Sequence, residues 1–277
     1  MNIRFLIRFY IFIAISMTHA QAQQNEWLHT KPWISGNFIQ FEIDELNQIY
    51  LLEASGRLIQ YNEKGDSMSV YNDIKRFGVP NRIDVANPLR PLLFFPTYET
   101  MVVLDRLLTY RGSVNFRKLQ QVQVSVAINA YDGNFWIYDE QDFKIKKINV
   151  EGIVQTESAD LRLQLQEAPH PTYMFESDQR LVLYDIQNGF YLFDFYGGFI
   201  KHLPYKNWSM VQANRKEIGG ISIEKEWCSI PWNTPVPNCH PIKLNLSDVL
   251  SYRRIKQQEF VLTNRGLFRR NMIIPAK

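Results

Sequence analysis

The chain is predicted to be all-β: a single β-propeller of six blades, with the ring closed by an N-terminal strand. Three observations predict it. First, a unit of apolar strand, polar turn, second apolar strand and glycine turn recurs. It reads Ile49-Tyr50-Leu51-Leu52, Leu58-Ile59-Gln60-Tyr61 and Gly65, then Phe135-Trp136-Ile137-Tyr138-Asp139, Phe143-Lys144-Ile145 and Gly152. It returns as Leu181-Val182-Leu183-Tyr184-Asp185, Phe190-Tyr191-Leu192-Phe193 and Gly197-Gly198. A hairpin repeated at roughly 40 residues is a propeller-blade period. Second, strand signals dominate and helical periodicity is weak throughout. Third, aromatic residues are spread evenly, and no Pro-rich or Ser/Gly-rich linker divides the chain. One blade has two apolar faces and cannot bury them alone, so stacking around an axis follows.

At the N-terminus, Arg4 and Arg8 precede an apolar run from Phe9 to Met17, and Ala20-Gln21-Ala22 offers the small residues a signal peptidase needs. Residues 1–22 are read as a signal peptide, with cleavage after Ala20 as the alternative and a signal anchor as the rival reading. The run is shorter than the roughly 18 apolar residues of a membrane span. No cysteine lies near the site to carry a lipid. Losing Arg4 and Arg8 lowers the net charge of +3 by two, to +1. A nearly neutral domain has no general electrostatic reason to bind nucleic acid. Residues 23–277 are expected to form the propeller, exported and periplasmic, with secretion as the alternative.

Unit one runs over residues 38–43, 49–52, 58–61 and 67–71, with turns at Gly56 and Lys64-Gly65. Unit two opens at Arg82-Ile83-Asp84-Val85 and continues through residues 91–95, 101–104 and 107–110, turning at Gly112. Unit three spans about 122–157 and unit four about 171–203. In unit five, Ile221-Ser222-Ile223 and Ile242-Lys243-Leu244 read as strands separated by a Cys/Pro loop. In unit six, residues 259–263 and 267–269 form a hairpin around Asn264-Arg265-Gly266. A ring must join its first and last blades or leave sheet edges open, and residues 26–33 are expected to donate the missing strand.

Cys228 and Cys239 flank a loop stiffened by Pro231, Pro235 and Pro237, and a disulfide between them is the preferred reading. The Cys-x-x-Cys spacing of a redox pair is absent. His240 adjoins Cys239 without completing a tetrahedral metal set, so no metal and no cofactor is expected. Tyr138-Asp139, Tyr184-Asp185 and Leu104-Asp105 end strands, where a carboxylate caps the next turn's N–H groups. Asp84, Asn87, Asp132 and Asp178 could bring oxygens toward a channel cation, but ordinary turn chemistry explains them. His29, His170, His202 and His240 are scattered, and no catalytic triad order or phosphate loop is present. Tyr50, Trp136 and Tyr184 occupy matched positions and are expected to fill the seams between blades.

The candidate partner-binding residues are Trp208, Trp227 and Trp232, which accompany the Cys/Pro loop, and the basic cluster Arg253, Arg254 and Lys256. A second basic cluster, Arg265, Arg269 and Arg270, lies near the C-terminus. Aromatics dominate binding hot spots, and a basic patch suits an acidic partner or lipid head groups. A self-packed loop and a solvated face are the respective rival readings.

Asp84-Val85-Ala86-Asn87-Pro88-Leu89-Arg90, Leu92-Leu93-Phe94-Phe95-Pro96, Val102-Val103-Leu104-Asp105 and Gly133-Asn134-Phe135-Trp136-Ile137-Tyr138-Asp139 resemble motifs of secreted Bacteroidota proteins with six-bladed NHL-like propellers. The likeness covers about residues 38–203 and fades afterwards. It implies a periplasmic accessory component around the outer-membrane type IX secretion translocon. The functional expectation is a non-enzymatic scaffold that binds a protein partner. The alternative is a lactonase-like propeller hydrolase, or a small-ligand or glycan binder, using the central channel.

Overall fold

The computed structural model describes residues 30–119, 123–165, 167–177, 179–242 and 244–272. The predicted signal peptide, residues 26–29 of the predicted closing strand, His29, Val122 and Asp178 lie outside the described residues. Among those described, the strands form six four-stranded antiparallel sheets. After a short β1 (Ile34–Ser35), blade 1 holds β2 (Phe38–Ile43), β3 (Ile49–Glu53), β4 (Leu58–Tyr61) and β5 (Ser67–Tyr71). Blade 2 holds β6 (Arg82–Asp84), β7 (Leu92–Phe95), β8 (Thr100–Leu104) and β9 (Tyr110–Asn115). Blade 3 holds β10 (Val124–Asn129), β11 (Phe135–Asp139), β12 (Lys144–Ile148) and β13 (Val154–Glu157). Blade 4 holds β14 (Tyr173–Ser177), β15 (Arg180–Asp185), β16 (Gly189–Asp194) and β17 (Phe199–Leu203). Blade 5 holds β18 (Ser209–Ala213), β19 (Glu217–Ile221), β20 (Glu226–Pro231) and β21 (Asn238–Pro241). Blade 6 holds β22 (Ser251–Ile255), β23 (Gln258–Thr263) and β24 (Gly266–Asn271), and takes β1 as its outer strand. No helix among the described residues is long and apolar enough to cross a membrane.

The seams hold the fold together. Six apolar clusters of buried residues occur, one between each pair of neighbouring blades. Tyr50 fills the seam of blades 1 and 2, Trp136 that of 3 and 4, and Tyr184 that of 4 and 5, as their spacing predicts. Full burial of such a side chain contributes about 2–3 kcal/mol. The phenols find partners inside: Tyr50 donates to Asp44, Tyr138 to the Pro169 carbonyl and Tyr184 to the Trp208 carbonyl.

Three expectations are corrected. Closure is made by Ile34 and Ser35, paired with Leu267 and Gly266, not by residues 30–33. In that register Pro32 would face Arg269, and proline has no N–H to continue the ladder. Gly266 is required there: its φ is 136°, and a Cβ would lie 2.2 Å from the Ile34 carbonyl oxygen. In blade 5 the cysteines sit on paired strands, with Cys228 of β20 directly opposite Cys239 of β21, and Ile223 is an exposed turn residue. The prolines fall at the ends of these two strands and in the turn between them, where the lost N–H is tolerated. In blade 6 the basic stretch around Arg253 is itself a strand, β22.

Candidate functional site

The first strand of each blade lines the central axis: β2 lies beside β6, β14 between β10 and β18, and β22 beside β18. These strands carry polar side chains, several of which pair with one another across the channel, while Arg82 Nε, Ser125 Oγ and Glu176 Oε1 are buried without a hydrogen-bond partner among the described residues. Arg82 of blade 2 reaches blade 4, where its guanidinium lies 3.9 Å from the Tyr173 ring centroid and its Nη2 donates to the Met174 carbonyl at 2.7 Å. Arg253 of blade 6 grips Glu42 of blade 1 through two bonds, Nη2–Oε1 at 2.6 Å and Nε–Oε2 at 3.3 Å. Such bidentate, charge-assisted pairs fix geometry as well as charge. Asp84 of blade 2 accepts from both nitrogens of Asn129 of blade 3, at 2.6 and 3.1 Å, and from the Ala86 N–H at 3.0 Å. Burial nevertheless pushes the Asp84 carboxyl above its usual pKa. Arg90 completes this corner by donating to Asn129 and to the Asn134 carbonyl. Gln212 docks its amide against the backbone of Arg254, at 2.6 and 2.9 Å.

The candidate partner-binding residues separate into two groups. Trp208 and Trp227 do not project from a loop: both are buried, against Phe190 and Tyr252 respectively. The expectation of an exposed aromatic cluster is corrected to that extent, because both indoles fall at seam positions. Arg253 belongs to the channel pair with Glu42. Arg254 is held inside by Glu259, Tyr252 and the Trp227 ring. Trp232 stays half-buried at the turn after β20, donating to the Asn214 carbonyl. Lys256 is exposed and donates to Asn47 at 3.1 Å.

Cys228 and Cys239 form a disulfide. Among the described residues, the one group of three metal-capable side chains is Glu226, Cys228 and Cys239, and its two sulfurs are already bonded to each other. His170 meets Glu140 at 3.0 Å, His202 meets the Asn188 carbonyl at 2.7 Å and stacks on Tyr191, and His240 lies exposed on an edge strand. Asp132 accepts from Lys147 at 2.9 Å, and Asn87 accepts from the Leu89 N–H.

The strand-end carboxylates cap turns. Asp139 accepts from the N–H groups of Gln123 and Gln141, Asp185 from those of His170 and Gln187, and Asp105 from those of Leu107 and Thr109. Sequence reasoning missed how general this device is. Asp44, Asn62, Asn149 and Asp194 each accept from the N–H groups two and four residues on. The fourth residue of the Asp44, Asn62, Asp105, Asn149 and Asp194 turns has positive φ, for instance Asn47 at 61° and Leu108 at 60°. The signal was present as Asp or Asn followed three residues later by Gly or Asn, as in Asn62-Glu63-Lys64-Gly65 and Asn149-Val150-Glu151-Gly152. These capped turns hold out apolar residues: Leu46, Leu107, Val150 and Tyr196 are exposed. Tyr131, on the turn between β10 and β11, is 91% exposed. Its backbone N–H is tied to Glu176 of blade 4 at 2.8 Å.

A β-propeller with paired polar side chains along its channel and hydrogen-bonded turn tips is the class of molecule that this geometry defines. No family model and no curated protein matches the sequence. Solved structures do match in fold. Virginiamycin B lyase from Staphylococcus aureus aligns at 13% identity and TM-score 0.58, over 84% of this chain and 80% of that one. PorZ, an essential bacterial surface component of the type IX secretion system of Porphyromonas gingivalis, aligns at 12% identity and TM-score 0.56. The alignment covers 86% of this chain and 32% of PorZ. BamB from Moraxella catarrhalis aligns at 12% identity and TM-score 0.50, over 86% of this chain and 83% of that one.

Proposed function

We propose that the chain is an exported, non-enzymatic propeller that binds a protein partner, as an accessory subunit of an outer-membrane assembly of the type IX secretion kind. The observation that carries this reading is the set of apolar residues held out on turns whose backbones are already fixed. A surface that is ordered before docking loses little entropy on binding, and exposed tyrosines are favoured contact residues. The disulfide is compatible with an oxidising compartment outside the cytoplasm. The likeness to PorZ agrees with this setting and adds no residue-level argument. The channel hydrolase reading needs oxygens from several blades free to converge on a cation, whereas Asp84 and Asn129 spend theirs on each other and on Arg90 and Glu42 spends its own on Arg253, which leaves Glu176 Oε1 of blade 4 as the carboxylate oxygen without a partner among these residues.

The test is affinity capture of the tagged mature protein after gentle membrane extraction, compared with Tyr131→Ala/Tyr196→Ala. A partner should co-purify with the wild type and be lost from the double variant, whose melting temperature should stay unchanged because neither phenol is buried. Recovery of the wild type as a free monomer only would count heavily against the proposal.

A further inference from the structure

Between blades 6 and 1, beside the closing strand, lies an open cavity of about 620 Å3. Its existence follows from the short β1. That strand covers β24 only at Gly266 and Leu267, while β24 runs on to Asn271. The Met272 N–H donates inward to the Gln257 carbonyl, and the Gly36 N–H reaches the Arg265 carbonyl on the other side. Alternation along an antiparallel ladder therefore turns the N–H groups of Arg269 and Asn271 toward the edge that β1 leaves open among the described residues. The cavity thus has backbone donors on one wall.

The floor is apolar, made by Ile43, Ile49, Ile255 and Phe260, with the Trp33 ring at the side. The rim carries three cations, Lys64, Lys256 and Arg269, against one carboxylate, Glu63. None of the three cations forms an ion pair among the described residues: Lys256 donates to the Asn47 amide, and Arg269 donates to the Glu63 backbone carbonyl. The Arg269 guanidinium is held 3.8 Å from the Trp33 ring centroid, which fixes its direction. An apolar floor, fixed donors and an excess of positive charge, in a volume of this size, are the features of a small-molecule site.

We propose that this seam cavity binds an organic anion with an apolar body. The acidic head would lie among Lys64, Lys256 and Arg269, and the body against Ile49 and Phe260. The probe is anilinonaphthalene sulfonate, titrated into the folded mature protein by equilibrium dialysis. One equivalent should bind saturably, and Lys256→Glu and Arg269→Glu should each weaken it by about tenfold or more. Lys216→Glu, on a turn of blade 5, should leave it unchanged. Should a reversal variant fail to fold, the wild type is titrated with neutral N-phenylnaphthylamine, which lacks the sulfonate and should bind about tenfold more weakly or worse. Equal affinity for the two dyes, wild-type affinity in the folded reversal variants, or binding that does not saturate would each overturn the assignment.

Discussion

Glu259 shows how single residues tune this fold. It is buried on β23 and receives Tyr252 Oη at 2.5 Å, Arg254 Nη2 at 3.1 Å and Arg270 Nε at 2.6 Å. Burial pushes its carboxyl up, but the Tyr252 and Arg270 hydrogen bonds and the two guanidinium charges outweigh that and hold it below the ordinary value of 4.5. A carboxylate depressed in the folded state stabilises above its unfolded pKa, and that contribution is lost as the pH falls through the folded value. Removing one member of a buried ionic network costs about 3 kcal/mol, because the remaining buried charges lose the opposite charge that offset their desolvation. Glu259→Gln should therefore unfold at lower urea at pH 7, by about that amount, with the gap to wild type shrinking below about pH 4. An equal gap at pH 7 and pH 3 would show that the hub does not work through its charge.

Among the elements, the β20–β21 hairpin depends on its cross-link. The disulfide joins adjacent strands of blade 5 across a separation of 11 residues, and Cys228 is buried in the seam with blade 4. A loop of this length stabilises by about 2–3 kcal/mol when closed. Reduction should lower the melting temperature accordingly, and a Cys228→Ala/Cys239→Ala chain should become insensitive to reductant. No change on reduction would remove the structural role. The hairpins β3–β4, β11–β12 and β15–β16 were legible in the sequence because β3, β11, β15 and β16 are buried between two seams and read as apolar runs. β18 and β22 were not, because strands at the axis carry Gln212, Arg253 and Arg254: the first two find partners on other blades, and Arg254 pairs with Glu259 on the next strand of its own blade. The tryptophans misled for a related reason. A Pro-rich neighbourhood signals a loop, yet Trp227 falls on a strand and Trp208 in a seam, and only spatial neighbours decide which indole is covered.

At the scale of the whole molecule, six blades share one argument: each hides its apolar faces against the next, so the ring is as strong as its joint. The joint between blades 6 and 1 rests on two β1 residues, the Trp33 ring against Phe260, and the close approach that Gly266 permits. It also leaves the cavity with the cationic rim. The rigid turn tips proposed for partner binding keep their positions only while this wheel stays closed. The most direct measurement is the thermal denaturation of a chain beginning at Thr30 compared with one beginning at Gly36. Loss of residues 30–35 should lower the melting temperature by about 10 °C, taking roughly 4 kcal/mol for the lost pairing and burial in a domain of this size. Identical melting temperatures would contradict ring closure by β1.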